Sequence, residues 1–259
     1  MNDVINEQID IFCEYVLSNF DINRPLVRLK YEHTLFVVII MTKICEELGL
    51  NTEDSLMGIR LALFHDIGRF HEERLLNGRF DDLGFDHAEA SNMVLFNEGL
   101  IKKFNVPEND YDVIKKAVYN HNKPVIEPNL SPREEFFSKL IRDADKIDIY
   151  RAVLSSDAIQ KPIFGNMPSR INLSNYFENK PIYLKDGKTF TDYIVLRIGW
   201  YDLLYFDESR KILEITGNLD RYISTITVKD EYKPLFKSIL DHYYESKRKN
   251  SEKMNSKKR

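Results

Sequence analysis

The sequence predicts an all-α protein, and the prediction depends on helical periodicity, one capping pattern and the placement of three glycines. Apolar residues recur at three- and four-residue steps in five early segments, near 5–20, 26–48, 53–66, 87–103 and 109–121. Ser131, Pro132 and Glu134 form a capping-box pattern at the start of a further helix near 132–155. Glycines suited to ending helices stand at Gly49, Gly68 and Gly99.

The second half of the chain is predicted to be less regular. Proline and glycine interrupt the helical pattern at 161–168 and 179–181, and residues 183–189 are expected to form a small hairpin or turn. Helical periodicity resumes near 190–206, 218–227 and 231–247. Earlier, the charged segment 69–86 predicts a long irregular loop. We therefore expect a helical domain over 1–160, a mainly helical extension packed on it over 161–250, and a disordered basic tail over 251–259.

Composition and charge limit the function classes. The 259 residues are 43% hydrophobic and carry a net charge of −4, so no overall basic field favours nucleic acid or a membrane surface. The apolar run 35–41 is too short to span a bilayer, and the N-terminus lacks a signal-peptide pattern. Cys13 and Cys45 lie in apolar segments and are expected to be reduced thiols. We expect a cytoplasmic protein with no membrane partner and no stable nucleic-acid partner.

Histidines and aspartates suited to metal binding recur in order along the helical half. The series consists of His33, His65, Asp66, His87, His121 and Asp145. His33 shares an inward helix face with Val37 and Ile40, whereas His65 and Asp66 stand together at a predicted helix end. Asp145 interrupts an apolar helix stripe, where a carboxylate is costly unless it meets a cation or hydrogen-bond donors.

Taken singly, each of these residues also has an ordinary structural explanation. His33 could be a satisfied core histidine, and a histidine in the first turn of a helix, such as His87, is usually just solvated. A charged His121 would interact favourably with the negative end of a helix dipole. Asp145 could form an ion pair with Arg142 or Lys146. The order of the whole series therefore carries the functional interpretation.

The series resembles the pattern of the HD-domain superfamily of metal-dependent phosphohydrolases. The resemblance extends from His33 to about Val153, with the motifs Tyr31-Glu-His33-Thr, Leu63-Phe-His65-Asp66-Ile-Gly68 and Arg142-Asp-Ala-Asp145-Lys-Ile-Asp148. It implies that the first domain, 1–160, is an HD-type metal-binding helical bundle. It also implies that one metal is bound by His33, His65, Asp66 and Asp145. A second metal would be bound by His87 and His121, with Asp66 bridging the two.

The resemblance further implies hydrolysis by a metal-bound hydroxide. Nitrogen and oxygen ligands suit one or two divalent transition metals, Fe or Mn, with Co, Ni or Mg as alternatives. Besides the bridging Asp66, we expect Arg69 and Lys146 to be the catalytic cations that meet phosphate charge, although Arg69 could instead pair with a surface glutamate. Asp148 is expected to orient a ligand histidine.

The expected function is hydrolysis of a phosphate mono- or diester, with a nucleotide or a related small phosphorylated molecule as the substrate. Two alternatives stay open at this stage. One is an HD-fold mixed-valent di-iron oxygenase, which uses the same six-ligand pattern. The other is a catalytically silent regulatory module that binds a nucleotide. The sequence does not choose between monoester and diester cleavage, and it leaves a homo-oligomer open.

Overall fold

The computed structural model describes residues 2–77, 85–156, 161–183 and 189–257, and these residues are mostly helical. The α-helices in this part of the chain are α1 (Asn2–Asn19), α2 (Pro25–Glu47), α3 (Thr52–Phe64), α4 (Ile67–Leu75), α5 (His87–Asn92), α6 (Tyr111–Asn120), α7 (Pro132–Ser155), α8 (Arg170–Phe177), α9 (Phe190–Leu203), α10 (Asp207–Thr216), α11 (Asn218–Ser224) and α12 (Lys233–Lys257). A π-helical turn lies at Met93–Asn97, and 3₁₀ turns lie at Leu100–Phe104, Glu108–Asp110 and Asp230–Tyr232. The strands are β1 (Ile163–Phe164) and β2 (Thr227–Val228). The prediction of an all-α fold is confirmed.

Contacts within the chain divide it into two compact units, Met1–Ala158 and Ile159–Arg259. The predicted domain boundary at residue 160 stays a prediction, because residues 157–160 lie outside the described part of the chain. The same holds for the turn expected at 183–189, of which 184–188 are not described. Among the helices of the described ranges, none combines the length and the apolar character needed to cross a bilayer.

Helix α2 is central to the first unit and packs against α3 and α7. Most of its buried side chains are apolar, and they include Val27, Val37, Met41 and Ile44. The facing side of α7 is also apolar, with Phe137, Ile141 and Ile147 fully buried. His33 on α2 and Asp145 on α7 are buried among these side chains, so two polar groups face each other across a core interface.

Gly68 allows α4 to approach α5 closely. It was expected to end a helix, but it lies inside α4, and only two residues separate α4 from the end of α3. A β-carbon at Gly68 would lie 2.5 Å from the Ser91 backbone nitrogen and 2.6 Å from the His87 carbonyl oxygen. No real β-carbon tolerates backbone atoms at such distances. The absence of a side chain at Gly68 therefore permits the packing that places His87.

The charged segment 69–86 is partly helical, which corrects the prediction of an irregular loop. Helix α4 continues to Leu75, and it buries Phe70 and Glu72 completely. Arg69 Nη1 donates to Glu72 Oε2 at 2.7 Å, a pair three residues apart on the helix. Burial of an aromatic ring and this ion pair stabilise a helix that the density of charges alone did not suggest. Residues 78–84 of the segment lie outside the described part.

The second unit is mainly helical, with α9 packed against both α8 and α12. β1 and β2 pair in parallel, and Ile163 lies opposite Thr227 while Phe164 lies opposite Val228. Phe164 is completely buried, so the short strand pair fixes an aromatic side chain in the core of this unit.

The C-terminal helix differs from the prediction of a disordered tail over 251–259. Helix α12 continues to Lys257, and residues 258–259 lie outside the described part. Arg248 Nη1 is 2.7 Å from Glu252 Oε1, and Lys249 Nζ is 2.9 Å from Glu245 Oε1. Ion pairs between residues four positions apart stabilise exposed helices modestly, and they help α12 to continue beyond its last buried apolar residue.

The predicted capping box starts α7. The Ser131 hydroxyl accepts from the Glu134 backbone nitrogen at 3.3 Å, and Glu134 Oε2 accepts from the Ser131 backbone nitrogen at 2.7 Å. We expect Ser131→Ala to lower the free energy of unfolding by about 1 kcal/mol in urea denaturation, because one helix-end donor loses its partner. Ser18→Ala, on an exposed position of α1, is the control and should stay within about 0.5 kcal/mol of wild type. Equal losses in the two variants would contradict the capping contribution.

Candidate metal centre

Asp66 lies at the centre of the candidate site, between the end of α3 and the start of α4, and is 2% exposed. Its Oδ2 atom is 3.7 Å from His33 Nε2 and 3.5 Å from His65 Nε2. Its Oδ1 atom is 3.6 Å from His87 Nε2 and 3.5 Å from His121 Nε2. One carboxylate therefore faces two pairs of histidines, one pair on each oxygen.

The helices bring these five residues together from distant parts of the sequence. His33 lies in the first half of α2, and His65 and Asp66 join α3 to α4. His87 is the first residue of α5, and His121 directly follows the last residue of α6. Because most of these positions are helix ends, a few helix contacts are enough to bring the side chains to one point.

Asp145 on α7 completes the half of the site that contains His33 and His65. Its Oδ1 atom is 3.1 Å from His33 Nε2 and 3.8 Å from His65 Nε2. Its other oxygen pairs with Lys146 Nζ at 2.5 Å. The Asp145 carboxylate thus faces the two histidines and also forms the ion pair with Lys146 that the sequence analysis gave as its structural explanation.

Backbone carbonyls orient one histidine in each half of the site. His65 Nδ1 donates to the Ala62 carbonyl oxygen at 2.8 Å, and His121 Nδ1 donates to the Val118 carbonyl oxygen at 2.6 Å. A carbonyl oxygen can only accept, so each ring carries a hydrogen on Nδ1. The Nε2 atom of each ring is the one that faces Asp66, at 3.5 Å in both residues.

His33 is oriented by a carboxylate instead. Its Nδ1 atom donates to Asp148 Oδ2 at 2.8 Å, the kind of contact expected for a residue that orients a ligand. Arg151 in turn donates to both oxygens of Asp148, at 2.6 and 2.7 Å. The two donations from Arg151 hold the carboxylate in place, and the carboxylate holds the imidazole.

The donor atoms fit a divalent cation. Two sets of ligand atoms share Asp66, one with His33 and His65 and one with His87 and His121, and within each set all atoms lie within 4.8 Å of one another. His65 Nε2 is buried and has no hydrogen-bond partner among the described residues. His87 Nε2 and His121 Nε2 are 3.1 Å apart. Two nitrogens bound about 2.1 Å from one metal at right angles would have a similar separation, about 3 Å.

A family model described as HD domain matches residues 31–152, the stretch that contains all six of the candidate ligands. The chain contains an HD domain. The resemblance read from the sequence motifs is confirmed, and the helical fold agrees with it. The HD domain belongs to a superfamily of metal-dependent hydrolases, and the histidine and aspartate cluster is consistent with a metal site of that type. Searches of curated proteins and of solved structures found no match.

Burial keeps two histidines of the HD domain neutral. Burial lowers the pKa of His65 to about 4. Burial together with the nearby charge of Arg69 holds the pKa of His87 well below its usual value. A neutral imidazole is the form that binds a metal, so both rings are ready to act as ligands near pH 7.

The two carboxylates of the site stay ionised. Burial acts to raise the pKa of Asp66, but Lys30 and the surrounding histidines hold it well below its usual range. Burial opposes ionisation of Asp145 in the same way, and Lys146 and His33 outweigh it. Both side chains are therefore anions, the form that divalent cations bind.

Arg69 lies inside the candidate site rather than at the surface. The side chain is 10% exposed, and its Nε atom is 3.7 Å from Asp66 Oδ1. It also makes the ion pair with Glu72, which is completely buried. Each of the two central carboxylates therefore has a cation beside it: Arg69 lies beside Asp66, and Lys146 pairs with Asp145.

Lys30 is a third cation at the site, and the sequence analysis missed it. Its Nζ atom donates to Asp66 Oδ2 at 2.6 Å, and its side chain is 16% exposed. Lys30 precedes His33 by three residues on α2, and residues at this spacing share a helix face. That spacing is the signal that could have identified it.

Proposed function

We propose that this protein is a metal-dependent phosphohydrolase that cleaves a phosphate mono- or diester of a nucleotide or a related small molecule. The observation that carries the proposal is the carboxylate of Asp66, which presents one oxygen to His33 and His65 and the other to His87 and His121. A bridging carboxylate suits a pair of metals that bind the attacking and leaving oxygens of a phosphoester.

Each half of the site would hold one divalent ion. The residues that would bind the first are His33, His65, Asp66 and Asp145. Those that would bind the second are Asp66, His87 and His121. A donor set of nitrogen and oxygen without thiolate favours Fe or Mn, with Co, Ni or Mg as alternatives. When bound, such ions lower the pKa of a coordinated water and neutralise charge on a phosphate group.

The cations of the protein itself would bind the phosphate charge. Three such side chains contact carboxylates of the site: Lys30, Arg69 and Lys146. In the described structure each of the three is paired with a carboxylate: Lys30 with Asp66, Arg69 with Glu72 and Lys146 with Asp145. Divalent ions bound beside these pairs add positive charge to the site, and positive charge in a buried site attracts anions. This charge supports a phosphorylated substrate.

The test is phosphoester hydrolysis by protein that has been depleted of metal and reloaded anaerobically with Fe(II) or Mn(II). The substrates are p-nitrophenyl phosphate, bis(p-nitrophenyl) phosphate and a panel of nucleoside phosphates. We expect release of nitrophenol or inorganic phosphate that requires the metal and does not require O₂. Absence of hydrolysis with every ester, in protein shown to contain metal, would overturn the proposal.

Two other outcomes of the same experiment would point to the alternative functions. Consumption of O₂ by the iron-loaded protein, with a mixed-valent iron signal, would favour the oxygenase. Tight binding of a nucleotide by the metal-loaded protein without turnover would favour a regulatory module. The assay therefore includes an oxygen electrode and a direct measurement of nucleotide binding.

Substitution of Lys30 tests the contribution of the cation that the sequence did not reveal. We expect Lys30→Met to lower kcat/KM for the best phosphoester by about 100-fold, because one charge that meets the phosphate is lost. Metal content should stay at the wild-type value, since lysine is not a ligand in this proposal. Lys43→Met, on an exposed position of the same helix, is the matched control. A kcat/KM equal to that of the control would show that the charge of Lys30 does not contribute to phosphoester turnover.

A further inference from the structure

Arg142 donates hydrogen bonds to backbone carbonyls at the C-terminal end of α6, where His121 lies. Its Nη1 atom donates to the carbonyl oxygens of Asn120 at 3.1 Å and of His121 at 3.5 Å. The same guanidinium also donates to the carbonyl oxygens of Lys123 and, at 3.3 Å, of Pro124. The last carbonyls of a helix have no partner within the helix, so an arginine from α7 supplies donors that α6 lacks.

Asp86 ties the segment after His121 to the start of α5. Its Oδ1 atom caps α5 by accepting from the backbone nitrogens of Ala88 at 3.0 Å and Glu89 at 3.4 Å. The same oxygen accepts from Asn122 Nδ2 at 2.9 Å, and the other oxygen pairs with Lys123 Nζ. Asp86, the residue before His87, therefore contacts Asn122 and Lys123, the two residues that follow His121.

These contacts lie next to His87 and His121, in one half of the candidate centre. His87 and His121 come from two short helix ends, and Arg142 and Asp86 fix those ends relative to each other. The other half has supports of its own, since Asp148 orients His33 and a backbone carbonyl orients His65. The contacts of Arg142 and Asp86 thus differ from those that orient His33 and His65, although Ser91 Oγ lies 2.8 Å from the carbonyl oxygens of both His65 and His87 and is a support that the two halves share.

We infer that Arg142 and Asp86 are positioning residues for the second metal, which His87 and His121 would bind. This inference rests on the two-metal centre proposed above. Loss of either support lets the two Nε2 atoms separate from their distance of 3.1 Å, which weakens the second ion and leaves the first in place. Residues that orient ligands in this way typically change metal affinity by about 10- to 100-fold.

The experiment is a Mn(II) titration of metal-depleted protein, with stoichiometry from elemental analysis and paired or single Mn(II) distinguished by electron paramagnetic resonance. The variants are Arg142→Gln, Asp86→Ala and Asp86→Asn. The last keeps an oxygen that can cap α5 but loses the negative charge that pairs with Lys123. We expect the dissociation constant of the second ion to rise by about 10- to 100-fold, most in Arg142→Gln and Asp86→Ala. The dissociation constant of the first ion should stay unchanged.

Arg133→Gln is the matched control, because Arg133 lies on the same helix and makes its ion pair with Asp54 instead. Wild-type protein that binds two ions, together with variants that bind both ions as tightly, would overturn the inference and leave the proposed function standing. Equal weakening of both ions would indicate a merely structural contribution and would also overturn it. If Arg142→Gln fails to fold, the two Asp86 variants decide the question.

Wild-type protein that binds a single ion would overturn the inference together with the two-metal centre. The phosphoester assay would still report on hydrolysis in that case, because one metal can support it. The two failures are therefore distinguishable: stoichiometry tests the positioning residues, and ester cleavage tests the reaction.

Discussion

Asp66→Ala should abolish metal binding in both halves of the centre and lower kcat/KM for phosphoesters by at least about 1,000-fold, or about 4 kcal/mol of transition-state stabilisation. The reason is geometric, since each oxygen of this carboxylate faces two histidine nitrogens at 3.5–3.7 Å. Helix content should be preserved, because the Asp66 side chain makes no capping hydrogen bond at the start of α4. Elemental analysis, steady-state kinetics and far-UV circular dichroism measure the three effects.

Asp66→Asn separates the charge of the carboxylate from its shape. An amide has one oxygen, so it can serve one half of the centre at most, and we expect no more than one metal per chain in this variant. Asp112→Ala removes an exposed carboxylate from the first turn of α6 and is the control, with metal content and kinetics unchanged. Retained turnover with two metals per chain in Asp66→Ala would contradict the central position given to this residue.

The candidate ligands stand out in the sequence because metal binding restricts both residue type and order along the chain. His65 and Asp66 stand at a helix end in the sequence pattern and in the structure, and Asp145 interrupts an apolar stripe in both. A polar side chain on a buried stripe requires a partner, so such positions attract attention without any knowledge of the fold. The capping box at Ser131 could also be predicted, because it depends only on residues three positions apart in the sequence.

Asp148 was expected to orient a histidine, and it contacts His33, but the partners of Lys30 and Arg142 could not be predicted, because they depend on which segments meet in space. Lys30 reaches Asp66 only because α2 packs beside the junction of α3 and α4. Arg142 donates to carbonyl oxygens that any residue type would supply, so the sequence carries no mark of those contacts. Gly68 was predicted to end a helix because glycine often does so, whereas in the structure its lack of a side chain allows the backbone of α5 to pack against α4.

Gly68→Ala should destabilise the first unit by about 3 kcal/mol and lower its Tm by roughly 5–10 °C. A methyl group at this position would meet three backbone atoms of the α5 region within 2.8 Å, and backbone cannot turn away as a side chain can. The two helices would have to separate, and His87 would move with α5. We therefore also expect weaker binding of the second metal, which thermal unfolding and Mn(II) titration of the same protein would show together.

Gly58→Ala is the matched comparison, since Gly58 is a buried glycine of α3 in the same unit. The new methyl group would lie 3.0 Å from Met41 Sδ and 3.1 Å from Cys45 Sγ, both side-chain atoms that can shift. Alanine is also the better helix former by about 1 kcal/mol, so this variant should stay within about 1 kcal/mol of wild type. A similar loss of stability at the two positions would mean that general crowding, rather than contact with the α5 backbone, limits substitution. A stable Gly68→Ala protein with two metals would contradict the requirement for close backbone contact between α4 and α5 at this position.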